Sequence, residues 1–141
     1  MNSYPDDWKL IEWKEKNSAI IKFFRKNIGI KHLNSKGKYS ELVYLTISYV
    51  PDGINGLPSK ADNDVLYNFE ELTLPLIEKD SDCIHVASVV GNGIKDHLIY
   101  ISNAQRFLNS LNKNNDKLKG LKVSLEKVSD EGWGIYQDFP E

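Results

Sequence analysis

The chain predicts an α+β fold on an antiparallel sheet: a ferredoxin-like β-α-β-β-α-β arrangement, two helices on one face, and an added N-terminal β-hairpin. Three observations carry this. Stretches starting at Ser59 and Ser102 have capping-box spacing and then apolar residues at helical intervals. Between them, two apolar runs flank Asn92-Gly93, a strong hairpin signal. After the second helix, Leu121 to Val128 alternates as a half-exposed strand does. From the third strand onward, the element order is that of a split βαβ unit.

The elements follow in turn. Trp8 to Lys16 places Trp8 and Leu10 on one side and Ile11 and Trp13 on the other, which is strand patterning. Ala19 to Phe24 follows the polar break Glu15-Lys16-Asn17-Ser18 and closes a hairpin over 8–25. Residues 26–40 hold Lys26, Lys31, His32, Lys36 and Lys38, with Gly29 and Gly37. They read as a solvated loop, a phosphate-facing patch being the functional alternative. Glu41 to Val50 is apolar almost throughout, so it is expected to be central, with both faces covered. From about Lys60, Val65, Leu66, Phe69, Leu72 and Leu76 form a helical stripe. Asp64, Glu70, Glu71 and Glu78 are assigned to its solvent side, and Pro75 is expected to end or kink it. Cys83–Val90 and Ile94–Ile101 are strands. Ala104, Phe107, Leu108 and Leu111 make the second stripe, and the polar tract from Asn112 either continues that helix or frays it before Gly120. The core is thus 41–128, followed by an aromatic tail over 130–141. The whole of 1–141 reads as one domain.

The totals set bounds on function. A chain of 141 residues, 40% hydrophobic and 27% charged, is globular in composition. At this size folding buries roughly 70% of the unfolded surface, so no disulfide or metal is needed to hold it. A net charge of −2 and a pI near 5.9 argue against general nucleic-acid binding. The N-terminus lacks the basic start and apolar core of a signal peptide. No apolar run nears the roughly 20 residues that cross a bilayer. The expectation is a cytoplasmic protein.

Little in the sequence looks catalytic. Dinucleotide, Walker-type and nucleophile-elbow fingerprints are absent. His32, His85 and His97 lack metal-ligand spacing, so no metal and no cofactor is expected. With a two-residue Asn92-Gly93 turn, Ser88 falls opposite His97 and His85 opposite Tyr100. Asp96 falls beside Val89 on the other face and cannot orient His97. Ser88 and His97 alone lack an orienter and an oxyanion hole. The lone Cys83 sits in an apolar run and reads as a buried small hydrophobe. Trp133, Tyr136 and Phe139 recur every three residues, to cap the sheet or to face a partner.

Three stretches carry a resemblance to a known family. They are Gly56-Leu57-Pro58-Ser59, then Asn92-Gly93-Ile94-Lys95-Asp96-His97-Leu98-Ile99-Tyr100, and the closing Trp133, Tyr136, Phe139 and Pro140. In these the chain resembles an uncharacterised bacterial family, domain of unknown function six-nine-five, from about Tyr4 onward. The resemblance implies a ferredoxin-like α+β fold similar to that of the B-type regulator of ribonuclease E. It supplies no catalytic residues.

Two functions are weighed. The first is a protein-binding module, regulatory or immunity-type, whose exposed acids suit a basic partner such as an enzyme or toxin. Asp52, Asp62, Asp64, Trp133 and Tyr136 are its candidate partner-binding residues. A homodimer through a sheet edge or face is a further possibility, and membrane or nucleic-acid partners are not expected. The second is a hydrolase or other small enzyme using His97 with Ser88, or Cys83.

Overall fold

The computed structural model describes residues 4–141. The reading of the N-terminus as leader-free includes Met1 to Ser3, which lie outside the described residues. Six strands form one sheet: β1 (Trp8–Lys14), β2 (Ile21–Asn27), β3 (Glu41–Ser48), β4 (Cys83–Gly91), β5 (Ile94–Ile101) and β6 (Lys122–Ser129). Their order is β1-β2-β4-β5-β3-β6, and every adjacent pair is antiparallel. The N-terminal hairpin therefore extends the sheet beside β4. β3 lies between β5 and β6, as its apolar run requires. Asn92 and Gly93 both have positive φ, 53° and 91°. That is the twist a two-residue hairpin turn needs, and glycine adopts it without a Cβ penalty.

Two helical segments cross one face of the sheet. Ser59 caps α1 (Lys60–Asn68), its hydroxyl accepting the Asp62 N–H at 3.1 Å. A π turn over Phe69–Thr73 leads directly into α2 (Leu74–Ser81), and the Leu74 N–H reaches back to the Phe69 carbonyl. Pro75, expected to break the helix, instead follows this wide turn near the start of α2, where a missing N–H is tolerated. In the second segment, α3 (Ala104–Lys113), the cap is Asn103 rather than Ser102. The Asn103 side chain accepts the Arg106 N–H at 2.9 Å. Ser102 donates to the Asp82 carbonyl instead.

Both faces of the sheet are covered. Val43, Leu45, Ile47, Ile99 and Ile101 pack against Leu66, Phe69, Leu74, Ile77, Phe107 and Leu111 of the helices. Leu42, Ile84, Val86, Leu98 and Tyr100 pack on the opposite side against Ile30, Leu33, Tyr39, Trp133 and Tyr136. The segment 26–40, expected as a solvated loop, is a second cover. Its apolar members Ile30, Leu33 and Tyr39 are buried, and two short 3-10 turns supply its backbone hydrogen bonds. Its lysines are engaged rather than offered to phosphate. Lys26 is buried and donates to the Phe139 carbonyl at 3.0 Å, Lys31 pairs with Glu141, Lys36 donates to the Leu33 carbonyl, and Lys38 pairs with Asp82.

The tail completes that cover through α4 (Gly134–Asp138). Trp133 is 0% exposed and Tyr136 1%, so neither offers a partner any surface as the chain stands. Trp133 stacks on Tyr100 with ring centroids 3.9 Å apart, and its Nε1–H donates to the Tyr39 carbonyl. Tyr136 donates to the Asn27 carbonyl at 2.6 Å. A second correction concerns the first helical stripe. Phe69, Phe107 and Leu111 are buried as expected, but Leu72 is 66% exposed. The buried face runs through Leu66, Phe69, Thr73 and Ile77, with Leu74 added past the π turn, and Val65, Leu72 and Leu76 of the expected stripe stand exposed beside it.

Candidate functional site

Two one-residue irregularities converge on the same place. Ser88 pairs with His97 and Val89 with Asp96, as the two-residue turn dictates. Beyond that point His85 pairs with Ile99 and Ala87 with Leu98, leaving Val86 as the extra residue of a β-bulge. Strand alternation restarts one residue late, so His85 turns to the helix-covered side, where His97 and Ser88 already lie. The sequence places His85 opposite Tyr100; the bulge makes Ile84 its partner instead. Above the bulge, Glu70 follows the buried Leu66 by four residues and points inward with it. The stripe drawn through Val65, Leu72 and Leu76 leaves Glu70 to solvent, yet it is 6% exposed.

A compact polar cluster results. Glu70 Oε2 pairs with Arg25, and Glu70 Oε1 lies 3.0 Å from Lys95 Nζ and 3.6 Å from His97 Nδ1. His97 Nδ1 lies 3.1 Å from His85 Nε2. Phe69 and Trp8 close the sides, with ring centroids 5.5 Å from His97 and 5.2 Å from His85. Burial pushes the Glu70 carboxyl up, but Lys95, His85 and Arg25 outweigh it and hold the group below the usual value. Burial pushes His85 down to about 4 and His97 well down. Both imidazoles are neutral at pH 7. His97 Nε2 is buried without a hydrogen-bond partner among the described residues. An orphaned polar atom of this kind costs roughly 1–3 kcal/mol.

The cluster meets solvent through a cleft of about 410 Å³ lined by Tyr4, Asp6, Trp8, Arg25, Glu71 and Glu78, with Glu70 and His85 at its floor. Glu78, also assigned to solvent, is half-buried at the cleft wall. Burial raises its carboxyl to about 7, the His85 N–H it accepts at 3.2 Å works the other way, and Asp6 adds to the rise. Neither Glu71 nor Glu78 has a cation within ion-pair distance among the described residues, and the one cation lining the cleft, Arg25, is taken by Glu70.

The other sequence candidates are elsewhere. Asp52 and Asp64 are exposed and Asp62 half-buried, and none of the three lines this cleft. Ser88 and His97 are cross-strand neighbours, yet no hydrogen bond joins them among the described residues; His97 faces His85. Asp96 accepts from the Thr46 hydroxyl, its cross-strand partner, on the opposite face of the sheet from His97. Burial raises the Cys83 thiol to about 12, and its sulfur rests against Ser81 Oγ and the Ile77 carbonyl, so it is no ready nucleophile. Arg25, Glu70, Glu78 and Lys95 were missed as site residues. Helical spacing from Leu66 reaches Glu70, while Arg25, Glu78 and Lys95 carry no spacing signal of their own.

Among the described residues no helix is long and apolar enough to cross a membrane. Neither a curated protein nor a solved structure matches the chain. A family model spans residues 6–139, nearly its whole length, and the chain therefore belongs to DUF695, a family of unknown function.

Proposed function

We propose that this is a protein-binding module of regulatory or immunity type, and that its acidic cleft receives a lysine or arginine side chain of a basic partner. One observation carries the reading: Glu78 is a desolvated carboxyl beside Asp6 and near Glu71, and no cation accompanies it. A buried acid without a partner is held at a cost that an incoming cation relieves. Trp8 and Tyr4 border the same opening, and aromatic faces favour cations. A net charge of −2 over the chain understates the field at this mouth, which focuses basic partners towards it. The order β4-β5-β3-β6, crossed by α1–α2 and by α3, supports the ferredoxin-like reading of the core. A cytoplasmic, bacterial setting remains part of the proposal, and the single unpaired cysteine agrees with a reducing compartment.

The test is calorimetric. A short peptide of arginine and lysine is titrated into the protein at low salt, beside a control peptide with glutamine at every basic position. The basic peptide is expected to bind and the control not. Glu71→Gln/Glu78→Gln is expected to weaken binding by at least about tenfold, the scale of losing charged partners in a partly buried contact. Added salt should weaken it further. Equal binding of both peptides, or an unaffected double variant, would overturn the reading.

A further inference from the structure

At the floor of the cleft, three donor atoms from three elements face one point. Glu70 Oε1 comes from the π turn, His85 Nε2 from the bulged end of β4, and His97 Nδ1 from β5, all within 4.8 Å of one another. His97 Nδ1 is 3.1 Å from His85 Nε2 and 3.6 Å from Glu70 Oε1. Ligand atoms bound at about 2.0–2.2 Å to one tetrahedral ion stand roughly 3.3–3.6 Å apart, so these two spacings lie near coordination distance without rebuilding the fold. We propose that Glu70, His85 and His97 form a binding site for a single transition-metal dication of the zinc, cobalt and nickel class.

Several features of the chain suit that ion. Two imidazoles and one carboxylate make a three-ligand set that leaves at least one position open, here towards the cleft. Calcium and magnesium prefer all-oxygen shells and fit it poorly. The Ala87 backbone also bonds the His85 ring, an outer contact of the kind that orients a ligating histidine. Glu70 Oε2 is held by Arg25, which leaves Oε1 as the ligand oxygen. The bulge at Val86 turns His85 to the side of His97, and Glu70 reaches both from the π turn. Devices of both kinds concentrate at functional sites.

Lys95 opposes the ion. Its ammonium lies 3.0 Å from Glu70 Oε1 and occupies the position of a tethered cation at the same oxygen. A dication has to displace it, so the lysine acts as a built-in competitor that lowers affinity and confines binding to metals with strong imidazole preference. This sets the sign of a variant that a merely structural cluster would not show: removing the ammonium should tighten metal binding.

The experiment is cobalt titration followed by visible absorption, with zinc measured in competition, on wild type, Glu70→Gln, His97→Gln, Lys95→Met and His32→Gln. Circular dichroism and thermal melts of each metal-free protein check the fold. Wild type is expected to bind one cobalt with the intense bands of a low-coordinate site. Magnesium and calcium should not compete. His97→Gln and Glu70→Gln should weaken binding by more than about 100-fold, beyond the usual loss for an outer-shell partner. Lys95→Met should strengthen it by at least about tenfold, and His32→Gln, on an exposed turn, should change nothing. The idea fails if neither wild type nor folded Lys95→Met shows saturable cobalt bands. It fails equally if His97→Gln binds as wild type does. The proposal stands apart from the basic-partner reading: Glu71→Gln/Glu78→Gln should lose peptide affinity and keep its cobalt bands.

Discussion

Glu78 shows how one side chain can serve binding at the expense of stability. Its carboxyl is shielded by partial burial, faces Asp6 and Tyr4, and among the described residues accepts only the His85 N–H. An acid whose pKa rises from 4.5 to about 7 on folding makes the folded state the better proton binder between those values. Its share of stability is therefore full below about 4.5 and falls as pH climbs to about 7, by about 3 kcal/mol at most. Glu78→Gln should remove that slope and leave the variant more stable than wild type at pH 8, while it binds the basic peptide less well. Urea unfolding of both proteins at pH 5 and pH 8 measures this. A stability gap between them that stays the same at the two pH values would show that Glu78 is not desolvated as described.

At the scale of elements, regular periodicity was legible and its interruptions were not. The Asn92-Gly93 turn, the Ser59 cap and the alternation of β6 come from local chemistry, and each appears where the residues place it. The bulge at Val86 and the π turn over Phe69–Thr73 have no such signature, since either strand or helix could run through those residues unbroken. One unseen residue in β4 moved His85 to the other face, and a stripe drawn through Leu72 in place of Thr73 left Glu70 on the solvent side. A pair of alanine variants separates the slipped stripe from the regular one. Phe69→Ala should destabilise the protein by roughly 3–5 kcal/mol, as truncation of a buried phenylalanine does. Leu72→Ala should stay within about 0.5 kcal/mol, as surface changes usually do. Denaturant midpoints decide, and equal losses in the two variants would restore the unbroken α-helical phase.

Across the whole molecule, the sheet carries two different covers, one fully readable in advance and the other only in its tail. The helices announce themselves by amphipathic spacing. The other cover combines the 26–40 segment, where Ile30, Leu33 and Tyr39 are scattered among lysines and glycines with no period to detect, and the tail, whose Trp133 and Tyr136 belong to the three-residue aromatic repeat. Burying those aromatics removes them from the list of partner contacts. The exposed acids Asp52 and Asp64 stand away from the cleft. What is left for a partner at this end of the sheet is an opening where Asp6, Glu71 and Glu78 converge beside Trp8. The most direct test is a two-dimensional amide NMR titration with the arginine-and-lysine peptide. The account predicts that the shifted signals are the amides of Glu71, Glu78 and His85 and the indole N–H of Trp8, and that they titrate together. Shifts confined to the Asp52–Pro58 loop and Asp64, with those four signals unmoved, would contradict it.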